Sequence, residues 1–276
     1  MTERLDHHGD AEVRGATHLV DLAVNVRVGT PPAWLATVIR DTTGQLAAYP
    51  DPSVARAAVA HRHGVPEDMV LPTSGGAEAF TLIARAIAAR RPLIVHPQFT
   101  EPEAAQRRAG RVPDRHVLQA KSGFTLDPAA VDPRADLVLV GNPTNPTGVL
   151  HPRATLEALR APGRVLVVDE AFADAIRGER ESLISPDLAG VLVLRSLTKT
   201  WGVAGLRAGY VVGDPDLVAA LAEQQSPWSV STPAAAVMAA TATPEALAEV
   251  ARVAEAIARD RGHLSLIHIS EPTRPY

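Results

Sequence analysis

Short, continuously apolar runs alternate with helical segments between about residues 69 and 212. The runs are rich in Val, Leu and Ile and contain few alternating polar positions, which is typical of strands covered on both faces. Strands that alternate with helices indicate βαβ units and a mostly parallel sheet. The predicted strands are residues 69–71, 93–95, 136–140, 164–168 and 190–194, with residues 207–212 as one more strand that could run antiparallel.

Helical patterns separate these strands and also precede them. Gly64 directly follows the predicted helix of residues 52–63 and indicates where it ends, since glycine commonly terminates helices. An Ala-rich stretch, residues 233–261, is interrupted around residues 241–244 and predicts two helices that lead out of the large domain. The other predicted helices are residues 33–40, 52–63, 77–90, 101–108 and 152–160.

These patterns predict an α/β fold in which helices sandwich a mostly parallel sheet, followed by an incomplete small domain. The predicted organisation is an N-terminal segment (1–30), a large domain (31–230) and the start of a small domain (231–263). Residues 264–276 break the preceding pattern and resemble the translation of a sequencing-library adapter. We therefore expect a non-native tail there, with a genuine short strand and turn as the alternative.

Composition narrows the class of protein. The formal net charge of −4 argues against a protein that binds nucleic acid or an anionic membrane, because such proteins need an excess of basic residues. The absence of cysteine excludes disulfides, thiolate metal sites and a catalytic thiol. The histidines show no metal-binding spacing, and no secretion signal or membrane-spanning run is present, so the sequence predicts a cytoplasmic protein without a metal site.

Chemically useful residues follow each predicted strand. Ligands bind beyond the carboxyl ends of the strands in open parallel sheets, so these positions predict one site. Small residues suited to an anion follow the first strand, and an aromatic residue follows the second. An Asn-rich turn follows the third, a carboxylate the fourth, and hydroxyls with a lysine the fifth. The positions are residues 73–78, Phe99, residues 141–148, Asp169 and residues 195–199, with Arg207 shortly after.

This set of side chains suits a flat, phosphorylated aldehyde with a basic ring nitrogen. An amine can form a Schiff base with the aldehyde, a carboxylate can keep the ring nitrogen protonated, and an aromatic side chain can stack on the ring. Pyridoxal phosphate fits this description. A nicotinamide dinucleotide fits less well, because Gly202, Gly205 and Gly209 lack the G-x-G-x-x-G spacing and do not directly follow a strand.

Three motifs carry a family resemblance. They are Ser196–Lys199 followed by Gly205–Tyr210, the amide motif Asn142–Gly148, and Asp169–Phe172. With these motifs the chain resembles, from about Leu19 to His263, fold-type I pyridoxal-phosphate enzymes of the class I/II aminotransferase group. Within the group it is most similar to the histidinol-phosphate aminotransferases and to the threonine-phosphate decarboxylases of cobalamin synthesis.

The resemblance implies a role for each of several residues. Lys199 would bind the cofactor covalently and later move a proton, Asp169 would pair with the ring nitrogen, and Asn145 would bond the ring oxygen. Phe99 would stack on the ring, and Asn25 would line the substrate site. The phosphate would be held by Gly76, Ala77, Ser196, Thr198 and Arg207, and by Tyr49 across the interface of a homodimer.

The resemblance also leaves alternatives open. Many relatives have Tyr where this chain has Phe172, and Phe172 favours the decarboxylase branch. We therefore expect chemistry at the Cα of a phosphorylated amino acid or amino alcohol, with decarboxylation first and histidinol-phosphate-type amino transfer second. A chain that binds cofactor or a partner without turnover is a third hypothesis, because the arginines that bind the substrate carboxylate in the family would lie beyond residue 263.

The basic residues single out one lysine. The chain has 27 basic residues, but Lys121 and Lys199 are its only lysines. Arginine cannot replace lysine in a Schiff base, since its pKa stays above about 12. Lys199 therefore has a chemical reason to be lysine, whereas Lys121 lies in no motif and is interpreted as a surface residue.

Overall fold

The computed structural model describes residues 25–270, together with Leu5 and His18, and only the backbone of residues 264–270. Most of the predicted N-terminal segment lies outside this part. Within it, the helices are α1 (Ala33–Asp41), α2 (Ser53–His63), α3 (Gly75–Ala86), α4 (Glu101–Arg108), α5 (Arg153–Glu157), α6 (Pro215–Glu223), α7 (Thr232–Thr241) and α8 (Pro244–Ser270). As predicted, α2 ends at Gly64, which adopts the left-handed conformation (φ 63°).

Seven strands form one sheet in the order β1-β7-β6-β5-β4-β2-β3. Strand β7 pairs antiparallel with both β1 and β6, and the other pairs are parallel. The prediction of a mostly parallel sheet is thus confirmed, as is the antiparallel strand. The strands are β1 (Val70–Thr73), β2 (Pro92–His96), β3 (Asp114–Val117), β4 (Leu137–Gly141), β5 (Val165–Asp169), β6 (Val191–Ser196) and β7 (Gly209–Gly213).

Both faces of the sheet are covered, which explains the uninterrupted apolar runs. In β4, Val138 and Val140 belong to one hydrophobic cluster, whereas Leu137 and Leu139 belong to a second one. All four side chains are at most 2% exposed. Because successive strand residues point to opposite faces, an alternating pattern would have left one face polar. Each such buried side chain contributes roughly 1.5–3 kcal/mol of hydrophobic stabilisation.

Some elements differ from the prediction. The edge strand β3 was not predicted, because its sequence is polar and three of its four residues are exposed. Helix α6 was also missed, although Asp214 caps it through the backbone N–H groups of Asp216 and Leu217. Helix α3 was predicted to end at residue 90 but ends at Ala86. The backbone N–H groups of Arg90 and Arg91 instead donate hydrogen bonds to the Asp136 carboxylate, at 2.8 and 2.9 Å.

The C-terminal part contains the two predicted helices, α7 and α8, separated at residues 242–243. Helix α7 packs against α1 and α2. The backbone of α8 stays helical through Ser270, so residues 264–270 do not form the alternative short strand. The predicted domain limits and the origin of the tail stay predictions. None of the helices in the described part of the chain is long and apolar enough to cross a membrane.

Candidate active site

The carboxyl ends of all strands except β7 lie at one edge of the sheet. Because β7 runs against both of its neighbours, β1 points in the same direction as β6, β5, β4 and β2. A cavity of about 130 Å³ lies at this edge. Nine of the eleven residues proposed from the sequence line it: Gly76, Ala77, Phe99, Asn145, Asp169, Ser196, Thr198, Lys199 and Arg207.

One end of the cavity is suited to an anion. Gly75 begins α3 with φ +76°, and Arg207 Nη2 lies 2.8 Å from the point where a Cβ on Gly75 would be. The absence of that Cβ lets the guanidinium approach the helix N-terminus. The hydroxyls of Ser196 and Thr198 are hydrogen-bonded to each other at 2.8 Å and line the same cavity. Guanidinium, hydroxyls and helix N-terminus together form a phosphate-type environment.

Asp169 ends β5 and contributes the carboxylate of the cavity. Its Oδ1 accepts a hydrogen bond from the backbone N–H of Ala171 at 3.1 Å. Burial raises the pKa of Asp169 to about 6, although this hydrogen bond and the charge of Lys199 act in the opposite direction. The carboxylate is therefore mostly ionised at neutral pH and can pair with a protonated ring nitrogen.

Lys199 lies three residues beyond β6 and borders the same cavity. Burial lowers the pKa of Lys199, and the positive charge of Arg207 lowers it further, whereas Asp169 acts in the opposite direction. Its Nζ is 5.9 Å from the centre of the Phe172 ring. A lower pKa increases the fraction of neutral amine, which is the form that attacks an aldehyde.

The loop after β4 places Asn145 at the cavity. Asn142 is 1% exposed and exchanges two hydrogen bonds with the backbone of His151, donating at 3.1 Å and accepting at 2.7 Å. The Thr144 hydroxyl donates to the carbonyl of Gly141 at 2.7 Å. Asn142 thus fixes the loop, and Asn145 is left to face the cavity.

Two predicted residues lie outside this cavity. Asn25 borders two larger neighbouring cavities, of about 800 and 700 Å³, which also contact Phe172. The first of these reaches Lys199 and the second reaches Asn145, so Asn25 stands beside the site. Tyr49 is 75% exposed and stacks on Trp228 with ring centres 4.2 Å apart. Its predicted contact with a phosphate across a dimer interface stays a prediction.

Sequence reasoning missed a buried network of charges next to the cavity. Arg195, in β6, is 3% exposed, and its guanidinium contacts the carboxylates of Glu170 and Asp174, each at 3.1 Å, and that of Glu179. Arg62 joins the network through Asp174 at 3.1 Å and Glu179 at 2.7 Å. The signal was an arginine inside an apolar strand, since a buried charge needs a partner.

Gln98 was also missed as a cavity residue, although it stands directly before Phe99. It lines the cavity and is 7% exposed. Its amide Nε2 has no hydrogen-bond partner in the described part of the chain. Phe99 itself is 37% exposed and forms part of the cavity wall.

The chemical groups that line the cavity fit pyridoxal phosphate. An anion-binding helix start with Arg207, a half-buried carboxylate at Asp169 and an amine at Lys199 correspond to its phosphate, ring nitrogen and aldehyde. Fold and site together define a cofactor-binding α/β enzyme of the pyridoxal-phosphate class. The family described as "Aminotransferase class I and II" matches residues 17–266, and the chain belongs to this family. Its cofactor is pyridoxal 5′-phosphate.

Individual proteins support this assignment. A histidinol-phosphate aminotransferase from Mycobacterium tuberculosis is 49% identical over 248 residues, which cover 89% of this chain and 67% of that protein. A threonine-phosphate decarboxylase from Salmonella typhimurium is 33% identical over 228 residues, covering 79% and 63% of the two chains. The structure of an aspartate aminotransferase from Thermus thermophilus with maleate has a TM-score of 0.80 at 25% identity, covering 92% and 74%.

Proposed function

We propose that this protein acts at the Cα of a phosphorylated amino acid or amino alcohol and that its reaction is histidinol-phosphate-type amino transfer. The observation that carries the proposal is the cavity that brings Lys199, Asp169 and Arg207 together. The choice of reaction is supported by the 49% identity to the histidinol-phosphate aminotransferase, against 33% to the decarboxylase. This difference in identity is the reason why we propose amino transfer rather than decarboxylation, the reaction that the motifs alone favoured.

Threonine-phosphate decarboxylation is the second candidate, and Phe172 favours it. The phenyl ring borders all three cavities of the site and carries no hydroxyl. A tyrosine at this position would donate a hydrogen bond to the ring oxygen, so Phe172 leaves Asn145 to hold that oxygen alone. The two reactions break different bonds at the same carbon and need the same set of cofactor-binding residues.

The proposed roles follow from the position of each side chain. When bound, the cofactor supplies an electron sink for the bond broken at Cα. Asp169 would hold the proton on the ring nitrogen, and Lys199, with its lowered pKa, would attach the aldehyde and then move a proton at Cα. Asn145 would orient the ring oxygen, and Phe99 would cover the ring. The phosphate would be bound by Gly76, Ala77, Ser196, Thr198 and Arg207.

We further propose a homodimer in which Tyr49 reaches the phosphate of the partner subunit. Support comes from the exposed stack of Tyr49 on Trp228, which is itself 59% exposed. Asn25 would contact the substrate, since it borders the cavities that reach Lys199 and Asn145. The exposed aromatic pair offers a contact surface that one copy of the chain leaves uncovered.

A paired assay tests the reaction. The protein loaded with pyridoxal phosphate is incubated with histidinol phosphate plus a keto acid, and separately with threonine phosphate. Keto-acid-dependent loss of the amino group supports amino transfer, whereas CO₂ release without a keto acid overturns it in favour of decarboxylation. If the cofactor binds through Lys199 and neither product forms, the chain binds cofactor without turnover, which overturns both reactions.

A further inference from the structure

Gln98 places an unused hydrogen-bond donor at the cofactor cavity. Its side chain is 7% exposed, and its Nε2 has no partner in the described part of the chain. Buried amide groups are almost always hydrogen-bonded, to protein or to a bound molecule. An unpaired donor on a residue that lines a ligand cavity therefore indicates an acceptor that the donor meets when the cavity is filled.

The pairing of β4 with β5 relates the Gln98 amide to Asp169. Its Oε1 lies 3.5 Å from the point where a Cβ on Gly141 would be. Gly141 pairs directly with Asp169 across β4 and β5. Paired residues on neighbouring strands are about 4.8 Å apart and direct their side chains to the same face. The amide of Gln98 therefore lies against the position of the missing Gly141 side chain, on the face to which Asp169 directs its carboxylate.

The Asp169 carboxylate has capacity for another donor. An ionised carboxylate has about four acceptor sites, and the backbone N–H of Ala171 fills one of them. The titratable groups that face it are Lys199 across the cavity and the adjacent Glu170. The charge of Glu170 is balanced by the guanidinium of Arg195 at 3.1 Å. On the neighbouring strand β4, the residue paired with Asp169 is Gly141, which has no charge. The Asp169 carboxylate can therefore accept a further hydrogen bond from a neutral donor, such as the amide of Gln98 just beyond β2.

We propose that Gln98 is a positioning residue whose Nε2–H donates to the Asp169 carboxylate when the cofactor occupies the cavity, so that the carboxylate stays ionised and aimed at the ring nitrogen. The inference rests on the proposed role of Asp169. A hydrogen bond to the ionised form of a carboxyl group favours that form. Gly141 borders the same arrangement, because the position of its missing Cβ lies in van der Waals contact with the amide oxygen of Gln98.

The test measures the affinity for pyridoxal phosphate from the quenching of tryptophan fluorescence. Gln98→Met keeps the approximate shape and removes the donor, so we expect about tenfold weaker binding near pH 6. Gln98→Glu puts a second carboxylate beside Asp169, and we expect a larger loss together with a shift of the pH profile to higher pH. If Gln98→Met fails to fold, the pH profile of Gln98→Glu still decides the question.

Gln106→Met is the matched control. Gln106 is 1% exposed, and its Nε2 also lacks a partner in the described residues, but it lies in α4 and does not border the cavity. We expect its affinity and pH profile to equal those of the parent protein. Equal losses in both variants would show a general packing effect and would overturn the proposal.

Asp169→Asn separates this inference from the proposed function. The effect of Gln98→Met should disappear in the Asp169→Asn background, because the two residues act through one hydrogen bond. If Asp169→Asn weakens binding but Gln98→Met does not, the role of Gln98 is overturned and that of Asp169 stands. If Asp169→Asn itself leaves the affinity unchanged, both roles are overturned.

Discussion

Asp169 and Glu170 are adjacent carboxylates at the end of β5, but they differ in how many partners the protein gives them. Glu170 contacts Arg195 at 3.1 Å and accepts hydrogen bonds from the Ser182 hydroxyl at 2.7 Å and the Leu183 N–H at 2.8 Å. Asp169 accepts from the Ala171 N–H and otherwise faces the cavity. Burial raises the pKa of both carboxyl groups.

The comparison separates a structural charge from a functional one. The partners of Glu170 come from β6 and from the segment after β5, so its charge ties these parts of the fold together. Asp169 has acceptor capacity that the protein leaves unused, which is costly for stability but useful for binding a cationic ring nitrogen. Substitutions at the two kinds of charge should therefore have different effects, on cofactor binding at the cavity and on stability in the network.

Replacing Lys199 by Ala should have the largest effect. The amine is the only nucleophile proposed for the aldehyde, so activity should fall by about 10⁴-fold or more, and the absorbance of covalently held cofactor should vanish. Steady-state assays and absorbance spectra after gel filtration measure both effects. Lys121→Ala is the matched control, because Lys121 is the other lysine and is exposed. Retention of covalent cofactor in Lys199→Ala would refute the assignment.

Breaking the buried charge network should cost stability rather than affinity. Glu170→Gln leaves Arg195 without one of its buried charge partners, and we expect the free energy of unfolding to fall by about 3 kcal/mol. Urea denaturation of the cofactor-free protein measures this. A stability equal to that of the parent protein would mean that the network is dispensable.

Asp169→Asn should change how stability depends on pH. The pKa of Asp169 is about 6 in the folded state, against 3.8 as its ordinary value, so the folded protein binds this proton more tightly. The carboxyl group therefore favours folding at low pH, and this contribution is lost as the pH rises from about 4 to 6, by at most about 3 kcal/mol. Asp169→Asn should abolish that change without weakening the fold at neutral pH.

Urea denaturation of the cofactor-free protein at several pH values checks this expectation. The difference between the parent protein and Asp169→Asn isolates the contribution of Asp169, since the other titrating groups are common to both. Parallel stability curves across that pH range would contradict it. A large loss of stability at neutral pH would instead place Asp169 with Glu170 among the structural charges.

The smallest effect is expected at an exposed ion pair. Arg177 contacts Glu255 at 2.9 Å, and both side chains are 52% exposed. Exposed pairs contribute little, because water screens the charges, so Arg177→Ala should lower the free energy of unfolding by less than about 1 kcal/mol. Thermal denaturation of Arg177→Ala and of Arg195→Met, measured in parallel, compares the loss of an exposed charge with the loss of a buried one. A loss as large as that of Arg195→Met would contradict the distinction between buried and exposed charges.

Strong local patterns allowed much of the fold to be predicted. Continuous apolar runs identified β4, β5 and β6, because strands buried on both faces need apolar residues at every position. The polar edge strand β3 has no such pattern, since an edge strand is only partly covered. Residues 90 and 91, at the predicted end of α3, instead donate hydrogen bonds to Asp136, which is distant in sequence and which a local pattern does not reveal.

By itself, the sequence determined six of the seven strands, their order along the chain and nine residues of one cavity, since strand ends and motif residues are local properties. Only the tertiary structure decided which buried polar groups have partners. It joined Arg195 to Glu170 and Asp174, left the Gln98 amide unpaired beside Gly141, and placed Tyr49 on Trp228 outside the cavity. The physical reason is that burial and hydrogen bonding depend on contacts between residues far apart in the chain.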